Sequence, residues 1–209
     1  MEKIAKKIAD NIGVNLKFDN EKVAVMAYGL TAIFQLLIIF FIVSILGIIG
    51  NFWIEGMIIF ILVGLLRKST GGAHSSTFTG CLIFSIFFIS LMSLLCRYLY
   101  NPNLIYLYLS FSIIVFAWSF YITYKKAPVA SPRKPITNPK KIYKLRRNSL
   151  ITLTLFFLTT IFLYYFTEDY NRHFGFGLSI TMSVLWQTFM LTKKGHKFMN
   201  IIDRKLVDF

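Results

Sequence analysis

The sequence predicts an all-α integral membrane protein with six transmembrane helices, cytoplasmic N- and C-termini and interfacial amphipathic helices at one or both ends. Three observations lead there. Hydrophobic residues make up 56% of the 209 and charged residues only 15%, where a soluble domain carries about a quarter charged. Several windows of about 20 residues hold almost no charge, the mark of a membrane span, and mean hydropathy is +0.63. The positive charge, net +14, is gathered into alternate connections. In a soluble chain such a charge points to nucleic acid. Here it is explained by membrane orientation and contact with anionic lipid, and no nucleic-acid partner is expected.

Residues 1–22 are charged and lack a cleavable apolar core, so no secretory signal is expected there. Ile4, Ile8 and Ile12 recur every four residues, with Ala5 and Ala9 alongside and Lys3, Lys6 and Lys7 off the stripe. That spacing predicts a short amphipathic helix lying on an anionic membrane face; a solvated basic tail is the plainer alternative. Residues 23–66 are long enough for two spans, at about 23–46 and 48–66, broken near Gly47, Gly50 and Asn51, with Trp53 and Glu55 at the outer interface. Gln35, inside the first span, is read as an interhelical hydrogen-bonding group rather than a site residue.

After the polar stretch 67–77 a third span is predicted at 78–100. Asn101-Pro102-Asn103 forms a turn, and a fourth span follows at 104–124. Residues 125–149 are expected to be the longest loop. They hold Lys125, Lys126, Arg133, Lys134, Lys140, Lys141, Lys144, Arg146 and Arg147, no acid, and every proline except Pro102. The fifth and sixth spans fall at 150–166 and 174–191, separated by a turn with Glu168 and Asp169. In the tail, 192–209, Phe198, Ile201, Ile202 and Leu206 form a second helical stripe. The chain reads as one polytopic domain, 1–209. The basic connections and termini lie on one side and the three short turns on the other, which by the positive-inside rule puts the termini and residues 67–77 in the cytoplasm.

The stretch RKSTGGAHSSTFTGC, residues 67–81, carries the chemistry. It has the only Gly-Gly pair, one of three histidines and one of two cysteines. A thiolate is the reactive form of cysteine, and an imidazole can take its proton. His74 and Cys81 are seven residues apart. On an unbroken helix they would share a face but stand about 10 Å apart, too far for proton transfer, so the chain must bend between them. Gly71 and Gly72 permit such a bend. The plain readings are a small apolar cysteine at a helix start and a solvated histidine. Cys96, about 22 Å further along the same helix, is the weaker nucleophile and too remote for a disulfide. His173 falls on the outer side, while His196 stays open as a base on grounds of sidedness. No His or Cys pair has metal-ligand spacing, so neither metal nor cofactor is expected.

Arg67, the Gly-Gly-Ala-His run ending at His74, and Cys81 six residues later closely resemble the signature of the accessory gene regulator B (AgrB) family. The run KKAPVASPRKPI, the basic stretch after it, the length and six apolar segments are similar too. The resemblance implies a membrane cysteine endopeptidase of Gram-positive quorum sensing. Such a protein removes the acidic C-terminal tail of a small precursor, AgrD, and promotes closure of the remainder into a thiolactone through an internal cysteine of that precursor. It implies Cys81 as nucleophile and His74 as base, with Arg67 and Gly72 supporting. Ser75 and Ser76 are candidate oxyanion donors beside backbone N–H groups. Lys140, Lys141, Lys144, Arg146 and Arg147 are candidates for attracting the acidic tail, alongside contact with lipid headgroups. A homodimer is compatible with the resemblance, and nothing in the sequence calls for one. The principal rival is a small transporter or peptide exporter without peptidase activity. It would need polar groups deep in several spans, and Gln35 is read as almost the only one apart from hydroxyls. A non-catalytic structural membrane partner is the third reading.

Overall fold

A computed structural model describes residues 1–73, 75, 77–98, 101–129, 138–165 and 170–207, without the side chains at 102, 170–174 and 205–207. Eight α-helices follow in order: α1 (Glu2–Leu16), α2 (Asn20–Ile49), α3 (Trp53–Thr70), α4 (Phe78–Tyr98), α5 (Ile105–Lys126), α6 (Pro139–Tyr165), α7 (Tyr170–Met190) and α8 (Lys193–Val207), with one 3-10 turn at Pro102–Leu104. Among the described residues there is no strand, only a single bridge between Gly71 and Val129. Four helices, α2, α4, α5 and α6, are long and apolar enough to cross a membrane. The expected spans at 48–66 and 174–191 coincide with α3 and α7, which are not in that set. In its 18 residues α3 carries Glu55, Arg67 and Lys68, and α7 is rich in hydroxyls.

The ends of these helices alternate. Tyr98 Oη donates to the Gly50 carbonyl at 3.0 Å, and Arg97 pairs with the buried Glu55 at 3.5 Å, joining the start of α3 to the end of α4. At the opposite end Val129 N donates to Thr70 O at 2.8 Å, and Ala73 N donates to Met190 O at 2.9 Å. Turn chemistry makes the reversals. Asn51 is left-handed, with φ 52°, and Gly47 lies so close to Trp53 that a Cβ would be 2.8 Å from its Cα.

Packing is inverted relative to a water-soluble protein. Large apolar side chains such as Ile33, Phe41, Ile45, Phe87, Ile114, Leu155 and Phe162 face outward. The interior combines apolar clusters with hydroxyls. One cluster joins Ile39 and Val43 of α2, Met57 and Ile59 of α3, and Phe88 and Ile89 of α4. Another joins Leu66 to Val115, Phe116, Leu153, Ile180 and Val184 of α5, α6 and α7. The buried hydroxyls bond backbone one turn back, as Ser183 does to Ser179 O at 2.7 Å, or each other, as in Ser112–Thr181 and Thr188–Ser119, both at 2.8 Å. In hydrocarbon such paired groups hold helices together.

Three expectations are corrected. The basic segment is not loop throughout: α6 starts at Pro139, so Lys140, Lys141, Lys144, Arg146 and Arg147 are helical. Asn138 caps it, with Lys140 N donating to its Oδ1 at 3.0 Å, and proline in the first turn needs no donor. In α1 the docked stripe is the small one. Ala5, Ala9 and Gly13 are buried against α2, while Ile4 is exposed and Ile8 and Ile12 are half-buried. A Cβ on Gly13 would collide with Val23. Finally, Gln35 is not interhelical glue: its amide nitrogen is buried with no hydrogen-bond partner among the described residues. The tail stripe does form on α8, where Phe198 packs edge-on against Phe84, Trp186 and Phe189. Leu206 lies outside the described side chains.

Candidate functional site

The site begins where α3 stops. Gly71 has φ 67° and ψ −145°, and a Cβ there would run into the Val129 carbonyl oxygen. Gly72 follows at φ 129°. Only glycine takes such angles freely. Residues 71–73, 75 and 77 are not helical, so the unbroken helix that would hold positions 74 and 81 about 10 Å apart is not formed.

The polar stretch is tied to its neighbours bond by bond. Gln187 of α7, almost wholly buried, donates through Nε2 to Thr70 Oγ1 at 2.8 Å and Gly71 O at 2.7 Å. Arg67 reaches over the turn, and Nη2 donates to Ala73 O at 2.7 Å. Its guanidinium also lies within direct electrostatic reach of Cys81 and Tyr28. One cation therefore braces the carbonyl next to position 74.

Beyond the turn, Thr77 starts α4. Its Oγ1 accepts from Gly80 N at 3.1 Å, and its carbonyl accepts from Cys81 N at 3.2 Å. Cys81 is thus in the first turn of α4 and half-buried. Ser75 gives its hydroxyl hydrogen to Asp203 Oδ1 of α8, and its oxygen accepts from Thr77 N at 3.3 Å. That hydrogen is committed, so Ser75 caps and anchors rather than donating to an oxyanion. His74 and Ser76 lie outside the described residues.

Cys81 opens into a cavity of about 920 Å3 walled by α1, α2, the start of α4 and α8. Cys96 is buried at the far end of α4. His196 turns Nδ1 to Thr192 O at 3.0 Å and lines a different cavity, of about 660 Å3, with Lys126, Val129, Lys193 and Lys197. The side chain of His173 is not among those described. Of the five cations in 140–147, Lys140, Lys141, Lys144 and Arg147 are exposed, whereas Arg146 Nε donates to Ala127 O at 2.8 Å and fixes the α5–α6 connection.

The family description of accessory gene regulator B (AgrB) matches residues 2–191. The chain belongs to the AgrB family. Membership ties it to the agr quorum-sensing system. AgrB-like protein 2 of Clostridium perfringens (strain 13 / Type A) is 30% identical over 206 residues, covering 97% of this chain and 96% of the relative. An AgrB-like protein of C. perfringens (strain SM101 / Type A) is 29% identical over the same length and coverage. One from Clostridium beijerinckii is 29% identical over 136 residues, 65% of this chain and 61% of the relative. No solved structure matches significantly.

Set beside the AgrB signature in this chain, the geometry ties Arg67 to the turn through Ala73 O and gives Gly72 a conformational reason. It adds Gly71, Gln187 and Asp203, which sequence reasoning did not assign. Gln187 is the one amide in the 174–191 segment, and Asp203 is one of two acids, with Asp208, in a basic tail; both were legible as anomalies. Gln187 and Glu55 also show that buried polar groups are more numerous than Gln35 alone. Glu55 meets Arg97 and Gln187 meets the turn, so both serve packing rather than lining a pathway.

Proposed function

We propose that this chain is a six-span membrane cysteine endopeptidase, with both termini and the 67–81 turn in the cytoplasm, that removes the C-terminal tail of an AgrD-type precursor. His74 takes the Cys81 proton, and the thiolate adds to the scissile carbonyl. The C–N bond breaks as the leaving amine takes the proton back from the imidazolium. The peptide is left as an acyl-thioester on Cys81. The precursor's internal cysteine, as thiolate, then attacks that thioester, and Cys81 leaves as the thiol or thiolate. One thioester replaces another, so the exchange is nearly balanced in energy, whereas hydrolysis is downhill. Water must therefore be kept from the sulfur.

The observation that carries this reading is the Arg67 brace. A guanidinium bonded to Ala73 O fixes the backbone immediately before His74, in the turn that leads into the helix bearing Cys81. Backbone N–H groups at the start of α4 supply oxyanion donors. The exposed cations at 140, 141, 144 and 147 attract the acidic tail and anionic lipid.

The deciding experiment is co-expression of a tagged AgrD-type precursor with Cys81→Ala, His74→Ala and Cys96→Ala variants. Cleavage stops in the first two and persists in the third. Cleavage by Cys81→Ala would end the peptidase reading and restore the exporter or structural-partner alternatives.

A further inference from the structure

We infer that the cavity between α1, α2, α4 and α8 seats the segment of substrate on the retained side of the scissile bond, gripped at its backbone by Gln35. This rests on the peptidase reading above and adds which part of the peptide lies where. The cavity, about 920 Å3, reaches from Cys81 and Ser75 to Gln35 on α2. That is near the top of the roughly 300–1,000 Å3 range of ligand sites, room for a few residues and not for a folded chain.

Gln35 is the unexplained group in its wall. Its amide nitrogen is buried and has no hydrogen-bond partner among the described residues. The neighbouring polar side chain, Thr31, is already spent on Ala27 O at 2.8 Å. Amide oxygen and nitrogen are exchangeable in assignment, yet either orientation leaves an amide end unpaired. A buried donor without an acceptor is costly, and an extended peptide offers a carbonyl at every residue. Along the α2 wall Ala24, Ala27 and Ala32 stand among Val23, Tyr28 and Thr31, and the three small side chains leave width for a second backbone.

Charge selects the segment. Among the lining residues the acids are Glu2, Asp10 and Asp203, the last bonded to Ser75, and the cation is Lys6. Such a wall repels an anionic peptide and suits a neutral or basic one. The acidic leaving tail is therefore directed away, towards the exposed cations at the start of α6. The two sides of the cleaved bond are sorted by charge.

The test uses the full chain in membranes with an epitope-tagged AgrD-type precursor. A photo-crosslinking residue at Ala27 in the Cys81→Ala background captures uncleaved precursor, and mass spectrometry locates the bond. Crosslinks upstream of the scissile bond are expected. Crosslinks to the acidic tail, or none, overturn the inference, and the peptidase reading survives so long as wild-type cleavage still requires Cys81. In parallel, Gln35→Leu raises KM roughly 3- to 10-fold, the range of one lost hydrogen bond, with kcat little changed. Iodoacetamide labelling of Cys81 at the wild-type rate checks the fold of that variant. An unchanged KM in a normally labelled variant removes Gln35 from the grip.

Discussion

At position 71 the chain has no room for a methyl group. The carbonyl oxygen of Val129 occupies that place, and φ 67° with ψ −145° is open only to glycine. Gly71→Ala must therefore push Val129 away and unseat the turn that carries Ala73. The expected cost is roughly 1–3 kcal/mol, read as a lower thermal midpoint in detergent, with slower iodoacetamide labelling of Cys81. Gly72→Ala meets ordinary contact distances, the nearest atoms being Gln187 Nε2 and Met190 O at 3.4 Å, so its cost is backbone strain alone and is smaller. An equal effect at both positions would show that the Val129 clash is not what matters. Gln187 was invisible as a partner because nothing in sequence says that an amide 116 positions later will meet the Gly71 carbonyl. The need for a bend, by contrast, was legible, since helix geometry separates positions seven apart.

Elements explain why the turn holds its shape. It is clamped between α7, through Gln187 and Met190, and α8, through Asp203. The Asp203–Ser75 bond is a charge-assisted one to a carboxylate only 8% exposed, of the kind that contributes roughly 1.5–3 kcal/mol. Asp203→Ala and Ser75→Ala are each expected to destabilise, and the double variant to be little worse than either, a coupling of about 1–3 kcal/mol by thermal unfolding in detergent. Additive losses would mean the two side chains act apart. Helix boundaries account for the largest misreading of the sequence. Four prolines and a run of cations in 125–149 look like loop, yet Asn138-Pro139 is a cap and a first-turn proline, and α6 begins there. The consequence is functional: Lys140, Lys141, Lys144 and Arg147 project from a helix. Replacing these four by Gln should raise the KM for precursor at low salt and matter little at high salt, because exposed charges act by screened attraction. Arg146→Gln should behave differently, loosening the Ala127 connection at any salt concentration.

Across the whole molecule, outward apolar faces and buried polar groups are divided unevenly among the helices. The four apolar helices carry most of the outward Ile, Leu and Phe side chains, with Ile54, Ile61 and Leu65 of α3 beside them; α7 has none among its described side chains. The other two, α3 and α7, contribute to the shared interior clusters and bear Glu55, Arg67 and Gln187. A helix face walled by its neighbours can hold polar groups that lipid would not tolerate, as Glu55 does against Arg97 and Gln187 does through Nε2. At 18 residues α3 is about 27 Å long, close to the hydrocarbon thickness of about 30 Å. Four helices meet the hydropathy criterion, and the proposed six-span topology adds α3 and α7. The prediction is topological. Asn101 and Lys141 are both exposed and lie at opposite ends of the bundle. In intact cells an impermeant maleimide should label Asn101→Cys and spare Lys141→Cys, which should react only after lysis; the unsubstituted chain supplies the background from Cys81. If α3 and α7 did not cross, Asn101 would still be separated from Lys141 only by α5, so a third probe is needed. Position 51, in the α2–α3 turn beside Tyr98, serves: Asn51→Cys must label from outside with Asn101→Cys, and a probe at Lys68 must not. Labelling of Lys68→Cys from outside would place the Arg67 brace, and with it the nucleophile, on the wrong face of the membrane for a cytoplasmic precursor.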